Sequence, residues 1–151
     1  MLPPRRHPAL TDAGLLIGRL AVGVIFIAHG WQKLTETGHA GVTGSFAELG
    51  IPLPGLSAHF ATWVELLGGA ALVAGALVPV AGVLIALNMA GAFWFVHMDN
   101  GLFNRDGGYE YVLVLGATAL LLAFAGAGRF SLDAFLWGRR ENTREREHAT
   151  A

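Results

Sequence analysis

Two imidazoles and two carboxylates sit where an apolar chain should have none: His29, Glu65, His97 and Glu110. Imidazole titrates near neutral pH, and a carboxylate in an apolar setting can be poised to take a proton. The four together suit acid–base work on a bound reductant such as a quinol. Lys33 lies four residues after His29, on the same helical face, and Arg105 lies in a polar island at 97–111. Both are cations suited to anchoring anionic groups. Asn100 in that island adds a hydrogen-bonding amide. Trp94, with Phe93 and Phe95, offers flat aromatic surface for a ring, although contact with lipid explains most of such surface.

Other chemistries fit the same residue types. A metal or haem site would use His and Glu, but the Glu-x-x-His spacing of di-iron bundles is missing, and no metal ligand is assigned. Proton-coupled transport would use the same groups in relay. A structural reading is as simple: Arg, Lys, His and Glu pair with one another and fix helix register.

These groups are carried by long apolar stretches. The chain has 151 residues, so one domain is expected; over half are hydrophobic, 14% are charged, and mean hydropathy is +0.52. A soluble domain carries about a quarter charged residues, so the composition indicates a membrane protein. The net charge of −1 gives no field for nucleic acid. With no cysteine, the chain cannot itself run thiol–disulfide exchange or thiolate metal ligation; a redox role needs a bound cofactor or a partner.

The pattern predicts an all-α membrane four-helix bundle with spans at about 15–34, 58–77, 80–98 and 109–127. An N-terminal tail covers 1–13, the membrane domain 14–128, and an interfacial segment with a polar, disordered tail 129–151. The apolar run after Arg5 and Arg6 is too long, and too poor in a cleavage signature, to read as a secretory signal. Pro79 marks the turn between the second and third spans. Phe46, Ala47, Leu49 and Ile51 suggest a short interfacial helix ended by Pro52, in a connection long enough to fold over the bundle as a lid.

Basic residues set the expected orientation. Arg5, Arg6, Arg129, Arg139, Arg140, Arg144 and Arg146 cluster at the termini, while Lys33 and Arg105 alone lie near the opposite connections. The positive-inside rule puts both termini in the cytoplasm and the 97–111 island outside. Trp31, Trp63, Trp94, Tyr109 and Tyr111 fall near the outer interface, and Trp137 near the inner one. Four of the polar groups then share the outer half of the membrane, where a cavity open to the outside would collect them. Arg19 lies about 20 Å deeper by helical rise, and could pair with Asn88, bind a lipid headgroup or snorkel inward. A charge near a helix centre costs at least about 2.5–3.5 kcal/mol on insertion scales, so each needs a partner.

Two patterns concern packing. Small residues recur every four positions: Ala71 and Gly75; Gly82, Ala86 and Ala90; Ala119, Ala123 and Ala127. A shift of 68 residues aligns Gly23 with Gly91, Phe26 with Trp94 and His29 with His97, which suggests two repeated hairpins.

With these residues assembled, the chain resembles the DoxX family of small bacterial membrane proteins. The features are Gly18-Arg19, His29-Gly30-Trp31-Gln32-Lys33, Gly50-Ile51-Pro52, Glu65-Leu66-Leu67-Gly68-Gly69, and His97 with Asn100-Gly101 and Gly107-Gly108-Tyr109-Glu110. Gly126-Ala127-Gly128 with Ser131-Leu132-Asp133 completes the set, which covers about residues 13–133. Ala127 stands where a proline is common in the family. The resemblance implies a four-helix protein of the bacterial inner membrane, linked to respiratory or redox enzymes. Relatives are associated with quinone-reactive thiosulfate oxidation, and with a complex joining superoxide dismutase and a sulfurtransferase.

The leading expectation is therefore a membrane subunit of an oxidoreductase system, with no intrinsic cofactor and a quinone as candidate ligand. In it Glu65 and Glu110 accept protons, His29 and His97 are hydrogen-bond partners or proton relays, and Lys33, Arg105, Asn100 and Trp94 hold the ligand. Partners would be lipid, oxidoreductase proteins and further copies of the chain. Two alternatives remain: a scaffold that recruits soluble redox or stress-defence enzymes, and an oligomeric small-solute transporter.

Overall fold

A computed structural model describes residues 8–136, and among them every regular element is helical. The expected tail features at Arg5, Arg6, Trp137, Arg139, Arg140, Arg144 and Arg146 lie outside the described residues. Helix α1 runs Pro8–Gln32 and continues through a π-helical turn, Lys33–Thr37. Gly38, at φ +69°, then swings the chain into α2, Gly38–Glu48. Helix α3 spans Pro54–Ala74 with a π-helical turn at Val64–Gly68. Helix α4 spans Val78–Asn100, with a π-helical turn at Phe93–His97 and a final 3-10 turn. Helix α5 is Glu110–Ala125.

The stops and starts have local causes. Pro54 presets the first turn of α3, so this helix starts four residues before the expected 58. Gly75, at φ +69°, supplies the left-handed cap that ends it at Ala74, short of the expected 77. The short helix expected around Phe46 instead starts at Gly38 and stops at Glu48.

The helices within Ala9–Glu48, Pro54–Ala74 and Val78–Asn100 are long and apolar enough to cross a membrane. Helix α5 is equally apolar but has 16 residues, which reach about 24 Å against a hydrocarbon core of about 30 Å. The outer surface is what lipid requires: Ile17, Val24, Leu87, Leu113 and Phe124 are all exposed. Inside, Phe26, Leu72, Val78, Ile85, Leu115 and Leu122 form one core with their neighbours.

Two close crossings hold the helices. A Cβ on Gly23 of α1 would come within 2.7 Å of the Gly69 carbonyl oxygen of α3. A Cβ on Gly82 of α4 would come within 2.5 Å of the Ala119 carbonyl oxygen of α5 and 2.9 Å of Ala123. Backbones this close gain packing that larger side chains would prevent. Gly82, Ala119 and Ala123 of the four-residue pattern thus sit at the α4–α5 seam, whereas Gly75 meets Arg19 and Ser131. The proposed 68-residue repeat has no counterpart in environment. Phe26 is buried and Trp94 exposed, and Gly23 is at a crossing while Gly91 meets nothing within 4 Å.

Arg19 closes the end of the bundle where α1 begins. It is wholly buried, and its guanidinium donates to the carbonyls of Leu72 (3.0 Å) and Phe130. It therefore neither snorkels nor pairs with Asn88. The segment after α5 folds back to make this possible. Asp133 accepts from the amides of Leu77 (3.0 Å) and Val78 (3.4 Å), capping α4 from outside its own helix. Asp12 likewise accepts from the Arg129 amide at 3.0 Å.

Candidate functional site

The three π-helical turns lie at the opposite end of the bundle from Arg19, and each delivers one polar side chain to the same cavity. Lys33 opens the first turn, Glu65 is in the second, and His97 closes the third. A π-turn inserts one residue into a helix and re-aims the side chains around it, which is why such turns recur at functional sites.

The cavity holds about 430 Å³. Its floor is a three-residue cluster. Lys33 Nζ donates to Glu65 Oε2 at 2.6 Å, and Asn88 Nδ2 donates to Glu65 Oε1 at 3.0 Å. Glu65 is only 4% exposed. A carboxylate so buried needs both a counter-charge and hydrogen bonds, and this one has both. Phe60, Leu87 and Phe95 make the walls apolar. Phe46, Ile51 and Pro52 close one side, so the α2 segment does cover the cavity as a lid would.

His97 joins the cavity wall to the polar island. Its Nδ1 lies 2.6 Å from the Gly107 carbonyl oxygen. A carbonyl only accepts, so Nδ1 carries the proton, and in the neutral ring Nε2 keeps the free lone pair. Asn100 Nδ2 donates to the carbonyls of Val96 (3.1 Å) and Gly107 (3.3 Å). The Asn104 amide donates to Glu110 Oε1 at 2.7 Å. Tyr109 N–H donates to the Gly101 carbonyl, and its ring meets Phe93 edge-on at 5.0 Å. The island is thus a turn tied to itself by backbone bonds from Asp106, Gly107, Gly108, Tyr109 and Glu110.

The expected site residues divide accordingly. Lys33, Glu65 and His97 line the cavity. Glu110 and Asn100 do not line it and hold the 97–111 turn together. His29 is exposed on α1 and away from the cavity. Arg105 is exposed, pairs with its neighbour Asp106 at 3.1 Å and sits over the Phe103 ring. Trp94 is 63% exposed and outside the lining, whereas its neighbour Phe95 is in it. Asn88 belongs to the cluster although its role was not foreseen. Its signal was its position, an amide alone within the apolar run of α4. No group of three His, Asp or Glu side chains suited to a metal ion is found among the described residues.

Comparison with known proteins places these residues in a family context. The DoxX sequence profile matches residues 14–98. The chain is 31% identical over 131 residues to "Putative oxidoreductase CatD" of Bacillus subtilis, covering 87% of this chain and 92% of that one. It is 30% identical over 128 residues to "Inner membrane protein YqjF" of Escherichia coli, covering 84% and 95%. To "Inner membrane protein YphA" of the same organism it is 34% identical over 125 residues, covering 79% and 87%. No solved structure matches the chain.

Proposed function

The chain belongs to the DoxX family of membrane proteins, and on that premise we propose that it is an integral subunit of a membrane-associated oxidoreductase system. In this reading the cavity receives a quinone ring. The observation that carries it is the Lys33–Glu65–Asn88 cluster at the base of an apolar chamber of about 430 Å³. Ligand sites commonly have this form, an apolar chamber with a few convergent polar groups. Lys33 spends one of its three N–H donors on Glu65; the others can meet a ring carbonyl oxygen. The name of the Bacillus subtilis relative supports a redox setting.

Quinone reduction takes two electrons and two protons. The chain has no cysteine, so the electrons would come from a partner protein, and the two protons from the aqueous phase. This chain's part is to hold the ring, exclude water and supply hydrogen bonds from Lys33 and Asn88. The membrane placement proposed with it is four spans in the bacterial inner membrane, both termini cytoplasmic and the cavity facing outward. Helix α5 then crosses with help from local bilayer thinning.

The test is photolabelling of the purified protein in nanodiscs with a benzoquinone-based probe. Labels should fall on peptides carrying Phe46 and Phe95, be competed by a short-chain quinone, and vanish in Ala61→Trp, which fills the cavity. Labelling indifferent to competitor and to Ala61→Trp would sink the reading. Purification from native membranes in mild detergent, with mass spectrometry of comigrating chains, tests the partner. Oxidoreductase subunits are expected, and a chain that emerges alone counts against them.

One observation favours the scaffold reading. Both Glu65 oxygens are already satisfied, as they would be in a purely structural staple. A scaffold would still bring down soluble enzymes but bind no quinone probe.

A further inference from the structure

The lid helix α2 packs along α3, and two histidines meet at that contact. The rings of His39 and His59 stack with centroids 3.6 Å apart and an interplanar angle of 18°. Both residues are exposed, one on each helix. His39 Nε2 also lies 3.4 Å from Thr43 Oγ1 within α2. Among the described residues no salt bridge reaches either ring.

We propose that the His39–His59 stack is an acid-operated latch that holds the α2 lid against α3 and releases it when both rings are protonated. Two imidazoles attract in this arrangement while at most one carries charge. Two imidazolium rings face to face at 3.6 Å repel, and imidazole is the side chain that changes charge between about pH 5 and 8. The elements packed around the pair add four other charged groups. Lys33 and Glu65 neutralise each other at 2.6 Å. Glu36, on the π-turn before α2, and Glu48, at the end of α2, are exposed to solvent. His29 of α1 is also exposed, and His97 of α4, across the cavity, is tied to the Gly107 carbonyl. Among the described residues none of them forms an ion pair with either ring.

The latch controls the cavity because the lid forms its wall. Phe46 lies on α2, and Ile51 and Pro52 follow it directly. Movement of α2 away from His59 carries these three away from Phe60 and Phe95 and opens the chamber. A cation bridge between the histidines is a poorer fit. Near-parallel rings hold their lone pairs side by side, whereas two nitrogens on one metal must converge on it. The proposal stands on the lid geometry alone and does not depend on the ligand being a quinone.

The absence of cysteine makes the test direct. Gly44, with nothing within 4 Å of its Cβ position, and exposed Leu56 accept the paired changes Gly44→Cys and Leu56→Cys for nitroxide labels. Pulsed electron resonance on the full chain in nanodiscs should show one short distance at pH 8. At pH 5 a longer population should become the major one, and return to pH 8 should reverse it. His39→Phe with His59→Phe keeps two stacking rings without titration and should stay closed at both pH values. His59→Phe alone leaves one charge and should stay closed as well, which covers failure of the double variant to fold. An unchanged distance at pH 5 with both histidines present would overturn the latch. So would equal opening in either phenylalanine variant.

Discussion

Lys33 Nζ and Glu65 Oε2 are 2.6 Å apart and join the π-turns that follow α1 and interrupt α3. The two partners are not equivalent. Glu65 is nearly sealed, with 5% of its side chain exposed, while Lys33 retains 24%. Lys33→Met should therefore be the costlier change. It strands a buried carboxylate, a loss of about 3–5 kcal/mol for a broken buried pair. Glu65→Gln should cost less, because Lys33 can reach water and the Asn88 amide keeps an oxygen to donate to. The double change Lys33→Met with Glu65→Gln should recover much of the loss. Thermal unfolding in detergent reads all three. Equal losses in both single variants would mean the asymmetry of burial has no energetic weight.

Arg19 is held by geometry as much as by charge. Its guanidinium reaches the Leu72 and Phe130 carbonyls at once, bridging α3 to the segment after α5. A lysine keeps the charge but has one point of contact. Arg19→Lys should lower the midpoint of thermal unfolding and expose the segment around Phe130 to protease. Wild-type resistance in Arg19→Lys would show that the fork geometry is dispensable.

Asp133 caps α4 across a gap of more than fifty residues, and Leu77 explains the need. Leu77 sits at φ +50°, a left-handed conformation that a branched side chain resists. Its amide is tied to Asp133 Oδ1 at 3.0 Å. Asp133→Ala should cost about 0.5–2 kcal/mol, the usual loss of a cap, while Asp133→Asn should retain most of it. Hydrogen exchange at the Leu77 and Val78 amides should rise in the alanine variant alone. Protection that survives in Asp133→Ala would assign the cap to another group.

The crossing of α1 and α3 has no room for a methyl group. Gly69→Ala would place Cβ 2.7 Å from the Gly23 carbonyl oxygen and 2.9 Å from the Ile27 amide nitrogen. Overpacking of this kind costs about 1–3 kcal/mol. Gly14→Ala, in the exposed first part of α1 with nothing within 4 Å, is the control. It should be neutral or stabilise by about 0.5–1 kcal/mol through helix propensity. Unfolding midpoints of the two variants should move in opposite directions or differ by that sum.

Much of this protein was decided by composition and spacing alone. Long apolar runs, broken just before Pro79 and at the 97–111 island, point to helices, because lipid allows only helices or closed barrels and these runs lack the alternation of barrel strands. The same reasoning marked Lys33, Glu65 and His97, since an ionisable group in an apolar run must find a partner. It also brought the chain to its family, through ordered motifs such as Glu65-Leu66-Leu67-Gly68-Gly69. Which partner each group finds was beyond it. Helical spacing put His29 and Lys33 on one face, yet Lys33 enters the cavity and His29 does not. Helical spacing fixes a shared face but not which side chain meets a partner across the bundle, and of the two only Lys33 lies level with Glu65, which it reaches at 2.6 Å. Asn88 reaches Glu65 rather than Arg19, and Glu110 serves the Asn104 turn rather than the cavity, because both depend on how α4 and α5 are rotated in the bundle. Rotation is set by the close contacts at Gly23, Gly69 and Gly82. Those contacts exist only once the helices meet, so the tertiary structure alone chose which polar groups share a cavity.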